Sequence, residues 1–115
     1  MSKQISPVTA TQLCDNYDTK YVELCKLIKK DDNRSCLFSL TELKNYIDYL
    51  EKSSSNIDGI RIYLGSYKNN KGPQKAISND LTTMFLAPTS NGIDNTKLNA
   101  FNFVDPRIPP KKYSK

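Results

Sequence analysis

The chain has 115 residues, 37% of them hydrophobic and 10% aromatic, which makes one small domain able to bury about two-thirds of its unfolded surface. The formal net charge is +5 and histidine is absent, so every Ser-His-Asp or Cys-His nucleophile, imidazole metal site and histidine proton shuttle is excluded. The charge is uneven: residues 1–58 carry eight Lys or Arg against nine Asp or Glu, and residues 59–115 carry nine against three.

In chain order, Ser6-Pro7 supplies an N-cap with proline at the first helical position, and Leu13, Cys14, Tyr17, Tyr21, Leu24 and Ile28 follow at helical spacing. This predicts a long amphipathic helix with Lys29 and Lys30 in its last turn, broken by the run KKDDNR. Ser39-Leu40-Thr41-Glu42 reads as a capping box that opens a second helix, to about Lys52, with Leu40, Leu43, Tyr46, Ile47 and Leu50 on its apolar stripe. The two stripes are expected to face each other as an antiparallel pair whose leftover apolar surface needs a lid.

That lid is read downstream. Gly59 to Tyr67 alternates with period two, so Ile60, Ile62 and Leu64 are expected in the core while Arg61, Tyr63 and Tyr67 point away from it. Leu81 to Ala87 is the second strand, ended by Pro88, which cannot donate into a ladder. Asn91-Gly92 is a turn signal, and Asp94 reads as the cap of a short helical turn running through Leu98 to Phe101. The end, from Asp105, holds three prolines in eleven residues and reads as an extended tail. The expected architecture is an α+β domain over residues 1–104, two N-terminal amphipathic helices packed on a small antiparallel sheet, with a poorly ordered Pro/Lys-rich C-terminal tail over 105–115.

The segments SLTELKNYIDYLEK, GIRIYLGSY and TTMFLAPTS together resemble a group of small uncharacterised bacterial proteins. The likeness spans roughly residues 39–104. It implies the same order of capped helix, strand and strand, and it implies no reaction and no site residues. Members of that group end in a cysteine-rich tail where this chain has prolines and lysines, so no role of the tail carries across.

The three cysteines, Cys14, Cys25 and Cys36, lack CxxC spacing, and with no histidine to complete a zinc site no metal or other cofactor is expected. On one helix Cys14 and Cys25 lie about 16 Å apart along the axis, beyond disulfide reach. They read as buried thiols in a reducing compartment. Cys36 reads as inert packing, the alternative being a reactive thiol with a depressed pKa. The N-terminus MSKQISPVTATQL has no apolar leader core, and the apolar run from Met84 to Ala87 is too short to span a bilayer. A cytoplasmic protein without membrane contact is expected.

One constellation points to binding. Arg61, Tyr63 and Tyr67 share a strand face, followed by Lys68, Lys71 and Lys75, and exposed aromatics stack on bases while cations hold phosphates. The plainer reading is that the tyrosines pack under neighbouring structure and the lysines guard an edge strand against pairing. Nothing matches an RRM, KH, zinc-finger or P-loop signature. The carboxylates Asp15, Asp18, Glu23, Asp48 and Glu51 read as solvated, and Asp31-Asp32-Asn33 lacks the Gly and Glu of an EF-hand loop. Pro106 and Pro109 give a PxxP spacing that an ordinary linker also produces. With no catalytic motif, the sequence points to a non-enzymatic protein-interaction module with another protein as partner, the alternative being nucleic-acid or other polyanion binding through the basic C-terminal half.

Overall fold

The computed structural model describes residues 2–53, 55–67 and 80–102. Lys68, Lys71, Lys75 and the tail with its PxxP spacing lie outside the described residues. The first helix, α1, spans Pro7–Ile28; the Ser6 Oγ accepts from the Thr9 N–H at 3.1 Å, and proline stands where no N–H is needed. Lys29 caps it instead of occupying its last turn. Its φ of 60° is left-handed, and its N–H returns to the Cys25 carbonyl. The second helix, α2, spans Leu40–Glu51 and is capped by Ser39, whose Oγ accepts from the Glu42 N–H at 3.0 Å.

Four antiparallel strands follow: β1 (Gly59–Ser66), β2 (Thr82–Ser90), β3 (Ile93–Asp94) and β4 (Phe101–Asn102). β2 is the spine. It pairs with β1 from Gly59↔Thr89 to Ser66↔Thr82, and its other edge takes β3 at Thr89↔Asp94 and β4 at Leu86↔Phe101. This is the expected α+β arrangement of two helices and a small antiparallel sheet. No helix among the described residues is long and apolar enough to cross a membrane.

Two strand boundaries differ from the sequence expectation. Pro88 does not end β2; it is fully buried inside the strand, opposite Ile60. Its ring nitrogen faces the second edge of β2, between the stretches paired by β3 and β4, and its own carbonyl accepts from the Asn95 N–H at 2.8 Å. The turn at Asn91-Gly92 is as expected, with φ of 54° and 73° at its two residues, the backbone of a two-residue hairpin. Asp94, however, lies in β3 and caps no helix, and Phe101 lies in β4. Burial decides that segment: the Phe101 ring sits 5.0 Å from Tyr46 and 5.3 Å from Phe38, centroid to centroid, outweighing any local helical preference.

The core is Tyr46, Leu50 and Leu86, flanked by Phe38, Leu43, Ile57, Leu98 and Phe101. α2 therefore covers β2 and β4. Polar contacts tie α1 to the segment after it, and the expected pairing of its stripe with α2 is not extensive. Tyr21 donates its hydroxyl to the Asp32 carbonyl at 2.8 Å, and the Arg34 guanidinium lies 3.8 Å over the Tyr21 ring while bonding Asp18 at 2.9 Å. No residue of α1 is buried. The run expected only to break the helix contains a fully buried side chain, Asp32 at 1% exposure. One of its oxygens accepts from the Asn33 N–H at 2.8 Å and the Thr82 N–H at 2.6 Å, the other from the Thr82 hydroxyl at 2.6 Å.

Removing that carboxylate strands three donors. Asp32→Ala is expected to lower unfolding free energy by about 3 kcal/mol in urea titration. A loss below about 1 kcal/mol would show that water replaces the carboxylate without penalty.

Candidate functional site

The site is built on β1. Register places Arg61, Tyr63 and Gly65 on one face, opposite Ala87, Phe85 and Thr83, and Ile60, Ile62 and Leu64 on the other, opposite Pro88, Leu86 and Met84. The period-two reading of the strand is correct, and its assignment of covered and open sides is not. Ile62 and Leu64 are 67% and 68% exposed, and Ile60 38%. They do share a face with Leu86. The cause of their exposure is lateral: β4 joins the far edge of β2, so Tyr46 and Leu50 centre on Leu86 and Phe101, α2 comes near β1 only at Ile60, and Ile62 and Leu64 stay uncovered.

The opposite face, expected to be available, is committed within the molecule. The Tyr63 ring stacks on Phe85 at 5.2 Å and its hydroxyl donates to an Asp94 carboxylate oxygen. Arg61 reaches the other Asp94 oxygen at 2.7 Å and the Gly92 carbonyl at 2.8 Å. Tyr63 first, then the Asp94 charge, raises the Arg61 pKa above its ordinary value. The Tyr67 hydroxyl oxygen accepts from the Asn102 amide at 3.2 Å and lies 3.3 Å from the Thr83 hydroxyl. Tyr63 and Tyr67 are half-buried and Arg61 is exposed, and all three expected platform residues engage their polar groups in internal bonds.

What stays open is an apolar edge. The Tyr67 N–H donates to the Leu81 carbonyl at 3.2 Å, so odd-numbered residues of β1 turn their backbone groups toward β2, and Ile60, Ile62 and Leu64 turn theirs outward. No described strand pairs with that side. Next to it, between the end of α2 and the start of β1, lies a groove of about 430 Å³ lined by Ile47, Leu50, Ile57, Gly59 and Ile60 and by the polar Glu51, Ser55 and Asn56. Ile47 is itself 42% exposed.

The cysteines are free and half-buried, less enclosed than the sequence suggests for Cys14 and Cys25. Burial pushes the Cys36 thiol up, against an opposing hydrogen bond from the Met84 backbone. That is the reverse of the depressed pKa a reactive thiol needs.

Two roles escaped the reading of the residues. Asp94 gathers Arg61 and Tyr63, and the signal for it was present: the Asn91-Gly92 hairpin sets Asp94 opposite Thr89, one strand away from Arg61. Ile47, Ile62 and Leu64 carry no signal of exposure, because apolar alternation marks a face without saying what lies over it. No protein-family model, curated protein or solved structure matches the chain.

Asp58 fastens the entry of β1 to the hairpin tip: one of its oxygens accepts from the Thr89 hydroxyl at 2.7 Å and the other from the Gly92 N–H at 3.2 Å. These donors, Thr89 foremost, hold its carboxyl below the ordinary value of 3.8. A carboxyl lowered by folding contributes its stabilisation above the unfolded pKa and loses it as pH falls through the folded one. The Gly92 amide resonance is expected to hold steady above pH 3.8 and to move on further acidification, and Asp58→Asn should abolish the movement. An identical acid-induced shift in Asp58→Asn would refute the latch.

Proposed function

We propose that this chain is a non-enzymatic protein-interaction module that receives an extended apolar segment on the open edge of β1. The observation that carries this reading is the combined exposure of Ile62 and Leu64, 67% and 68%, on a strand whose outward backbone groups have no described partner. An added strand gains main-chain hydrogen bonds from such an edge and side-chain specificity from alternate positions, here beside the groove at Ile47 and Ile60. The aliphatic side supports a protein ligand better than a polyanion, because Arg61, the one charge on β1, is turned away to Asp94 and Gly92. The partner surface is thus Ile60, Ile62 and Leu64 in place of Arg61, Tyr63 and Tyr67.

Panning a library of ten-residue peptides against the full chain, immobilised sparsely so that copies cannot meet, tests the reading. Alternating apolar peptides are expected to bind, to protect the Ile60, Ile62 and Leu64 amides from exchange, and to lose about tenfold or more in affinity with Ile62→Lys. An absence of binders, or binders indifferent to Ile62→Lys, overturns it.

A further inference from the structure

We infer that the segment accepted by β1 is β1 of a second copy of this chain, the two strands pairing antiparallel about a two-fold axis at Ile62. The inference rests on the reading of β1 as an interaction edge and names its partner.

Self-complementarity carries it. In a symmetric antiparallel pair, residues directly opposite must lie on the same face, and the outward bonds of β1 belong to even-numbered positions. Of the registers that satisfy both conditions, the one centred on Ile62 sets Ile60 against Leu64 of the second copy, Ile62 against its own equivalent, and Leu64 against Ile60. Sliding by one register step in either direction leaves an aliphatic side chain facing Ser66 or Asp58. On the other face the same register sets Arg61 against Tyr63 of the second copy, so no like charges meet. The Arg61 guanidinium is in any case held over the sheet by Asp94 and Gly92 at 2.7 and 2.8 Å.

Within its own span β1 carries little of what usually keeps edge strands apart. β1 is eight residues long, contains no proline, and Arg61 is its single charged residue. Pairing forms about six main-chain hydrogen bonds, two for each of the three outward pairs. It covers the aliphatic side chains on the same side as α2, where Leu64 of the second copy comes beside the groove at Ile47 and Ile60. A strand about 26 Å long under one helix layer offers about 500 Å² per copy, the low end for a specific interface, so the pair is a weak, reversible one.

Sedimentation equilibrium of the full chain from about 1 μM to about 1 mM reads the association, and isotope-filtered NOEs in a mixture of labelled and unlabelled chain read the register. The expected result is a monomer–dimer equilibrium with intermolecular contacts between Ile60 and Leu64. Ile62→Lys should weaken it by about 100-fold or more, whereas Leu27→Lys, at a 76% exposed site on α1, should not. Ile62→Pro removes an outward donor without touching the bonds to β2 and should also leave a folded monomer; unchanged amide shifts in β2 confirm the fold. A chain that stays monomeric throughout, or a dimer that survives both Ile62 variants, overturns the two-fold pairing. Peptide binding at Ile62 by a chain that stays monomeric would leave the module reading standing, and the two failures are thereby told apart.

Discussion

The buried carboxylate of Asp32 is the constraint on which the arrangement of the chain depends. The 22-residue α1 has no fully buried side chain, Tyr17, Tyr21, Leu24 and Ile28 being half-buried, so polar bonds near its end add to what holds it. Asp32 supplies them by taking both the backbone N–H and the hydroxyl of Thr82, at 2.6 Å each, while Tyr21 and Arg34 bind the neighbouring backbone and Asp18. A carboxylate at 1% exposure is tolerable only because both oxygens are engaged. The same contact fixes where β2 begins, since the Thr82 N–H is the first outward donor of that strand.

From there β2 is satisfied along its second edge by a succession of different partners. Asp32 and Asn33 bond Thr82, Cys36 meets the Met84 backbone, β4 takes Phe85 and Leu86, Asn95 bonds the Pro88 carbonyl, and β3 takes Thr89 and Ser90. Pro88 stands between the stretches that β3 and β4 pair, on an edge whose partner changes at that point. The helical layer follows the side on which β4 lies, which places Tyr46 and Leu50 over Leu86. With the far edge of β2 filled and the core drawn toward it, β1 is left as the outer strand with its aliphatic side uncovered.

Much of this was legible in the residues, and the limits have physical causes. Both helix starts followed from Ser6-Pro7 and Ser39, because capping is local chemistry. β1 and the Asn91-Gly92 turn followed from period and from the left-handed backbone that Asn and Gly tolerate. Pro88 misled because its effect depends on which edge its nitrogen faces, a property of the whole sheet. Asp94 misled because an acidic residue before an apolar series looks like a cap whether or not a helix follows. The largest error, the covered side of β1, has the same origin. Alternation at Ile60, Ile62 and Leu64 reports a plane of the sheet, whereas burial depends on lateral distance from α2, which β4 sets through a contact between Leu86 and Phe101 fifteen residues apart in the chain.

Arg61, Tyr63 and Asp94 bring these strands of argument together. An edge strand with an exposed aliphatic side is ordinarily protected by a charge that resists pairing, and β1 has one in Arg61. Here the guanidinium spans the sheet to Asp94 and Gly92, so its charge is balanced by a carboxylate on β3 and its side chain braces the hairpin. The tyrosine that shares Asp94 is likewise pinned over Phe85. One network therefore stiffens the far face and withdraws the charge from the edge. The rigidity matters to any strand that docks there, since an edge already held straight by β2 and braced from behind loses less conformational entropy on pairing than a free one. That property follows from the intramolecular bonds alone and favours an extended apolar segment over a charged one as the occupant of β1.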